Sequence, residues 1–208
     1  NPVMQPIEDK PGLPRVLLIG DSISIGYTLA VRGQLSGKAN VHRPPTNCAS
    51  TRTGVADIKK WLGDKPWDVI HFNFGLHDLK FVMGDTAQLV ALGTEASHRQ
   101  VPLDEYRKNL EEIVSQLKET GAKLIWCATT PVPAGAKGRY PEDAGRYNAV
   151  ALKVMKKHEI VVNDLHAFAE PKLADIQRSE NVHFSADGSQ MLAKAVSEVI
   201  LGQLETAN

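Results

Sequence analysis

The sequence predicts an α/β protein: a three-layer α/β/α sandwich around a central, mainly parallel five-stranded sheet. Three observations predict it. Apolar runs of strand length recur at residues 16–19, 69–74, 124–128 and 160–162. Stretches with helical periodicity lie between them, and that alternation is the pattern of a parallel sheet covered by helices on both faces. The chain has 208 residues, of which 42% are hydrophobic and 23% charged, enough for one full hydrophobic core and hence a single domain over 1–208.

The elements follow in order. Residues 1–13 read as an extended lead, polar and punctuated by Pro2, Pro6 and Pro11. The first strand, Arg15-Val16-Leu17-Leu18-Ile19, runs into Gly20-Asp21-Ser22-Ile23 and then a helix near residues 25–35. A short strand is expected around Val41, then a helix whose Val55, Ile58, Trp61 and Leu62 share one face. After the strand at 69–74, Tyr106, Leu110, Ile113, Val114 and Leu117 form an apolar stripe, stopped by Gly121 before the strand containing Trp126. Tyr147, Val150, Ala151 and Val154 repeat that spacing. Met191, Leu192, Ala195, Val196, Val199 and Ile200 give a final helix starting after Ser185. Residues 79–102 and 131–141 read as irregular loops rimming the carboxyl edge of the sheet, the first with room for a helical turn or two at 86–92. In such sheets ligands bind beyond the carboxyl ends of the strands, and Ser22 stands at one.

Composition excludes several function classes. Lys plus Arg and Asp plus Glu number 24 each, for a formal net charge of zero. No basic cluster offers a footprint for nucleic acid or an anionic membrane. No run is long and apolar enough for a membrane span. The seven histidines have no zinc-ligand spacing and no glycine-rich phosphate loop is present, so neither metal nor cofactor is expected. The two cysteines, Cys48 and Cys127, read as buried thiols, with a disulfide between them the alternative if the protein is exported. A start at Asn1 without an initiator Met, followed by the proline-rich lead, favours a secreted or periplasmic protein slightly over a cytoplasmic one.

The chemistry gathers in separate segments. Gly20-Asp21-Ser22-Ile23 places a hydroxyl at a strand-to-helix turn, where backbone amides are free to stabilise an oxyanion. Asp-Ser after a strand is also an ordinary helix cap, so the serine alone decides nothing. Glu180-Asn181-Val182-His183, just before the last helix, supplies a carboxylate and an imidazole three residues apart. Ser22, His183 and Glu180 together make a candidate triad of nucleophile, base and orienting carboxylate.

With these segments in view the chain resembles the SGNH, or GDSL, hydrolases over nearly its whole length. Gly20-Asp21-Ser22-Ile23-Ser24 is similar to the first conserved block, with Ile23 for the usual Leu. Gly54, in Ser50-Thr51-Arg52-Thr53-Gly54, is placed like the block-two glycine, whose amide the resemblance makes an oxyanion donor beside that of Ser22. Gly75-Leu76-His77-Asp78 is similar to the third block, and Glu180-Asn181-Val182-His183 to the fifth. The resemblance implies an SGNH, flavodoxin-like fold and a serine esterase working through an acyl-enzyme without a cofactor.

Two departures stand out. Where the third block carries an asparagine that donates to the oxyanion, this chain has His77, which can donate through a ring N–H. The alternative is that Asn47 or Asn73 supplies the amide. Where the family usually carries Asp, this chain has Glu180; a carboxylate is retained and Ser-His-Glu triads work elsewhere. Asp21 and Asp78 read as supports that bond backbone amides around the nucleophile turn and the oxyanion loop.

The expected partner is a small-molecule or glycan ester. The loops carry Arg52, Arg139, Tyr140, Arg146, Tyr147 and Asn148 with few large aliphatics, which favours a carbohydrate O-acetyl esterase, with Asn47, Arg52, Asn73, Arg146 and Tyr147 as candidate substrate contacts. The alternatives are a lipase, lysophospholipase or arylesterase of the same superfamily, with residues 81–83 and 89–90 lining an apolar pocket, an acyltransferase, or a non-catalytic carbohydrate-binding domain.

Overall fold

A computed structural model describes residues 2–206. Seven strands and seven α-helices are present among the described residues: β1 (Arg15–Ile19), α1 (Ser22–Gln34), β2 (Asn40–His42), α2 (Thr51–Leu62), β3 (Val69–Phe72), β4 (Phe81–Met83), β5 (Ser97–Arg99), α3 (Leu103–Lys118), β6 (Lys123–Cys127), α4 (Pro141–Lys157), β7 (Val161–Asn163), α5 (Leu165–Ala169), α6 (Leu173–Ile176) and α7 (Ala186–Glu205). Five strands form the central sheet in the order β2-β1-β3-β6-β7, every pair parallel. The expected three-layer α/β/α sandwich is the architecture found.

The inner strands read as continuous apolar runs because helices cover both faces. Val16, Leu18, Ile19, Val69, Ile70, Phe72, Ile125 and Trp126 are fully buried. α1 packs on α7 across one face, while α2 packs on α3, and α3 on α4, across the other. The predicted amphipathic stripes are the buried ones: Ile58 and Trp61 on α2, Leu110, Ile113, Val114 and Leu117 on α3, and Val196 and Ile200 on α7.

Three regions differ from the sequence reading. The lead is not extended throughout. A 3₁₀ turn at Pro2–Met4 opens it, and Asp9 then accepts from Arg15 (3.0 Å) and bonds His42 (2.6 Å), tying it to the sheet edge. Residues 79–102, expected to be irregular or partly helical, contain the antiparallel hairpin β4–β5. Arg99 joins that hairpin to α4 through both oxygens of the buried Asp143 (2.7 and 3.0 Å). The short α5 and α6 follow β7, where no helix was expected.

One glycine is needed for close packing at the catalytic edge. A Cβ on Gly75, just after β3, would overlap Thr129 Oγ1 just after β6. Thr129 itself donates to the Phe74 carbonyl (3.2 Å), so the ends of the two central strands are drawn together.

Candidate active site

The nucleophile turn is built by its neighbours. Asp21, the N-cap of α1, accepts the amide of Ile23 through its side chain (2.9 Å). The capping role that Asp-Ser left open therefore belongs to Asp21. Ser22, half-buried in the first turn of α1, keeps its hydroxyl for another partner. Gly20 lets the turn close, since a Cβ there would lie 2.7 Å from Cβ of Ser24.

That partner is His183, whose Nε2 lies 2.8 Å from Ser22 Oγ. The two residues are 161 positions apart in sequence. His183 sits on a loop closed by backbone bonds from Arg178 N–H to the His183 carbonyl (3.0 Å) and from Ser185 N–H to the Ile176 carbonyl (2.9 Å). Gln177 adds donations to the carbonyls of Pro131 (2.9 Å) and Val182 (3.1 Å). Ser185 then caps α7 by accepting from Gly188 (2.9 Å).

The group on the other side of the ring corrects the sequence reading. Nδ1 of His183 lies 2.7 Å from Oδ1 of Asn181, and that same oxygen accepts the backbone N–H of His183 at 3.0 Å. The backbone N–H can only donate, so the amide oxygen must face the ring and Nδ1 must carry the proton. Nε2 is then the free base that receives the serine hydroxyl, as a general base requires. Glu180 is exposed, adopts left-handed backbone (φ 51°) and lays its side chain against Gly135 instead of the ring. The turn that bends the chain at Glu180, closed by Asn181 N–H to the Arg178 carbonyl (3.3 Å), brings the next residue to the imidazole. The sequence gives this place to the neighbouring carboxylate, because Asn181 carries no charge. An Asn side chain can accept the backbone N–H two residues on in an Asx turn, and an Asn two residues before the histidine was the available signal.

Burial lowers the pKa of His183; the negative charge of Asp21 opposes that, and the positive charges of Arg178 and Arg139 add to it. A neutral amide, not a carboxylate, contacts Nδ1, so no adjacent anion holds the proton there.

The remaining candidates divide. Asp78 is buried, and its Oδ1 accepts both the amide of Thr51 (2.8 Å) and its hydroxyl (2.5 Å), supporting the start of α2. Burial pushes its pKa up to about 7. His77 is half-buried, and its pKa is lowered by burial; Asp21 opposes this, while Lys80, Arg139 and His183 reinforce it. Gly54 lies one turn too far along α2. Its amide is already bonded to the Ser50 carbonyl (3.0 Å), and its Cα faces Phe74 and Ile113 in the core. The amides of Arg52 and Thr53, in the first turn, have no acceptor among the described residues, because a helix leaves its opening N–H groups unpaired.

Each of the two asparagine side chains has one polar atom engaged, the amide nitrogen of Asn73 and the oxygen of Asn47. Asn73 donates to the Cys127 carbonyl (2.7 Å) inside the sheet, and Asn47 accepts from Ala49 (2.9 Å) in an Asx turn. The loop at Asn47 is nonetheless tied to the nucleophile turn, through Cys48 N–H to the Gly20 carbonyl (3.2 Å). Three proposed substrate contacts are otherwise engaged. Arg52 is exposed and paired with Glu105 (2.7 Å). Arg146 lies exposed on α4, near Asp143 (3.4 Å). Tyr147 is a core residue, fully buried, with its hydroxyl on the Val101 carbonyl. Helix periodicity already required that of Tyr147.

Beside Ser22 and His183 opens a cleft of about 300 Å³, lined also by Ile23, Gly26, Arg178, Phe184 and Ser189. A larger cavity, about 1080 Å³, lies between the lead, β2 and α2 and includes neither Ser22 nor His183. Its Asp9, Arg15 and His42 satisfy one another, so it reads as a packing groove under the lead. Among the described residues no group of three or more His, Cys, Asp or Glu could hold a metal ion, no helix is long and apolar enough to cross a membrane, and both buried cysteines are unpaired.

Comparison with known proteins agrees with the architecture. The lipase/acylhydrolase from Enterococcus faecalis superposes with a TM-score of 0.74 at 20% identity, over 92% of this chain and 97% of that one. An acetyl xylan esterase, AlAXEase, gives 0.71 at 13% identity, over 89% and 99%. The acetylxylan esterase Axe2 of Geobacillus stearothermophilus gives 0.70 at 19% identity, over 90% and 94%. No curated protein sequence matches the chain. Residues 18–191 match the GDSL-like Lipase/Acylhydrolase family, a span that contains Ser22, His77, Asn181 and His183, and the chain belongs to that family.

Proposed function

We propose that the protein is a serine esterase in which Ser22 is the nucleophile, His183 the general base and Asn181 the residue that orients the base. The observation that carries this is the 2.8 Å contact between Ser22 Oγ and His183 Nε2, in the tautomer that leaves Nε2 unprotonated. Ser22 attacks an ester carbonyl while its proton passes to Nε2. The imidazolium, held at Nδ1 by the oxygen of Asn181, then protonates the leaving alcohol. Water repeats the sequence on the acyl-enzyme and frees the acid. The oxyanion donors assigned in this reading are the amide of Ser22, the ring of His77 and the unpaired opening amides of α2. The α2 amides take the part that the sequence assigned to Gly54.

The substrate read best by the site is a carbohydrate O-acetyl ester. The cleft beside Ser22 is at the small end of ligand pockets and is lined by both polar and apolar groups. A long acyl chain would need an apolar channel. The residues that could have made one, Phe81, Val82, Met83, Leu89 and Val90, belong to the β4–β5 region and do not line this cleft. Two of the structural neighbours are acetylxylan esterases by name, which favours the same reading.

Rates on p-nitrophenyl acetate, butyrate and octanoate, set beside acetate release from acetylated xylan, test it. Acetate is expected to be preferred over octanoate by at least about tenfold, the scale on which a pocket discriminates a few methylenes. Preference for octanoate would overturn the acetyl assignment.

A further inference from the structure

Lys80 is a basic side chain in the otherwise apolar run Leu79-Lys80-Phe81-Val82, and only 6% of it is exposed. No carboxylate lies within ion-pair distance of it among the described residues. Its ammonium donates to the Ala87 carbonyl (2.8 Å) and stands 3.5 Å from Nδ1 of His77. Burying a cation without a counter-ion is unfavourable, so a purely structural position here would be better filled by an apolar side chain of the same length.

The contact with His77 gives the charge a use. An ammonium has donors and no acceptor, so a hydrogen bond between the two uses the lone pair of the ring nitrogen and not an N–H. A neutral imidazole has one N–H, which is thereby left on Nε2. That nitrogen has no bonding partner among the described residues.

We propose that Lys80 is a positioning residue that fixes His77 as its Nε2–H tautomer, so that a neutral ring donates to the oxyanion where related enzymes present an asparagine amide. This rests on the Ser22 esterase reading above. The charged and titratable groups around His77 are Lys80 on its own loop, Arg139 from the loop after β6, Asp21 at the nucleophile turn and His183 across the cleft. Lys80 and Arg139 disfavour a proton on the ring, as does His183 when charged. Neutrality matters because His183 becomes cationic as Ser22 attacks, and a second imidazolium beside it would oppose that step.

Long-range ¹H–¹⁵N correlation spectra of the histidine side chains test the tautomer without reference to activity. In the wild type, His77 is expected to show a protonated Nε2 and a bare Nδ1 at pH 7 to 8. In Lys80→Met it should become a mixture of tautomers that titrates nearer the ordinary imidazole value. The kcat on p-nitrophenyl acetate should fall about tenfold with KM within about twofold, since the lost interaction belongs to the transition state. A wild-type spectrum with Nδ1 protonated overturns the proposal even if Lys80→Met fails to fold. So does a variant whose His77 titrates and partitions as in the wild type. Failure of the esterase reading would show separately, as a Ser22 that does not form a covalent adduct.

Discussion

The side-chain oxygen of Asn181 accepts from both the backbone nitrogen and Nδ1 of His183, at 3.0 and 2.7 Å. One atom thus fixes where the ring lies and which of its nitrogens holds the proton. A carboxylate in that place would do the same and would also stabilise the imidazolium, raising the pKa of the ring. The amide orients without that electrostatic contribution. This difference, together with the replacement of a family asparagine by His77, sets the behaviour expected of the enzyme.

Asn181→Ala should lower kcat on p-nitrophenyl acetate by about 10², the scale of a well-placed general base, because the ring loses both its orientation and its tautomer. Glu180→Gln should stay within about twofold, as an exposed side chain clear of the ring does. Steady-state kinetics on the two variants decides between the neighbours. Loss in Glu180→Gln with a silent Asn181→Ala would restore the carboxylate triad.

In the proposed mechanism His183 accepts the serine proton and must be neutral to do so, so kcat/KM should rise with pH through the pKa of His183 and then level off. Burial puts that pKa below the ordinary imidazole value, and the midpoint of the acid limb should accordingly fall below about pH 6.5. Asn181→Asp adds an anion at Nδ1 and should move the midpoint upward by about one unit or more. An unchanged pH profile in that variant would contradict the assignment.

Asp78 provides a stability signature. Its folded pKa, about 7, lies above the unfolded carboxylate value. Between about pH 4 and 7 the folded chain therefore binds the proton that the unfolded chain has lost, and this group's contribution falls as pH rises. Buried His71, whose pKa is pushed down to about 3, acts in the opposite sense, losing stability as pH falls below about 6.5. The two are separated by comparing variants. The stability of Asp78→Asn relative to wild type should improve from pH 4 to 7 by on the order of a few kcal/mol, measured by urea unfolding.

Gly75→Ala should destabilise by about 1–3 kcal/mol, the range for overpacking, because Thr129 Oγ1 occupies the place of the new methyl. Gly145→Ala, exposed within α4 with open space at its Cβ position, should stabilise by about 0.5–1 kcal/mol. Chemical denaturation of the pair separates close approach of the strand ends from helix propensity.

The sheet and its covering helices were legible because each buried strand is a continuous apolar run and each helix carries one apolar stripe; Val69 and Ile58 declare their environments locally. Ser22, His183 and the supporting Asp78 were legible as residue types at strand and helix ends. What was not legible depended on backbone direction at single residues. The left-handed turn at Glu180 exchanges the expected carboxylate for Asn181. The exact start of α2 puts the amide of Gly54 inside the helix, bonded to the Ser50 carbonyl. The hairpin β4–β5 is built from three-residue strands, too short for an alternating pattern to emerge, and the pairing of Arg99 with Asp143 depends on two segments brought together only by the fold.

Whether Ser22 is a nucleophile activated by His183 can be read from one measurement: intact and peptide mass spectrometry after treatment with a fluorophosphonate. The expected result is a single adduct on Ser22, formed rapidly in the wild type, absent in Ser22→Ala and strongly slowed in His183→Ala. A wild-type protein that stays unmodified, or one that is modified elsewhere while Ser22 remains free, would contradict the esterase and leave a carbohydrate-binding domain of the same fold.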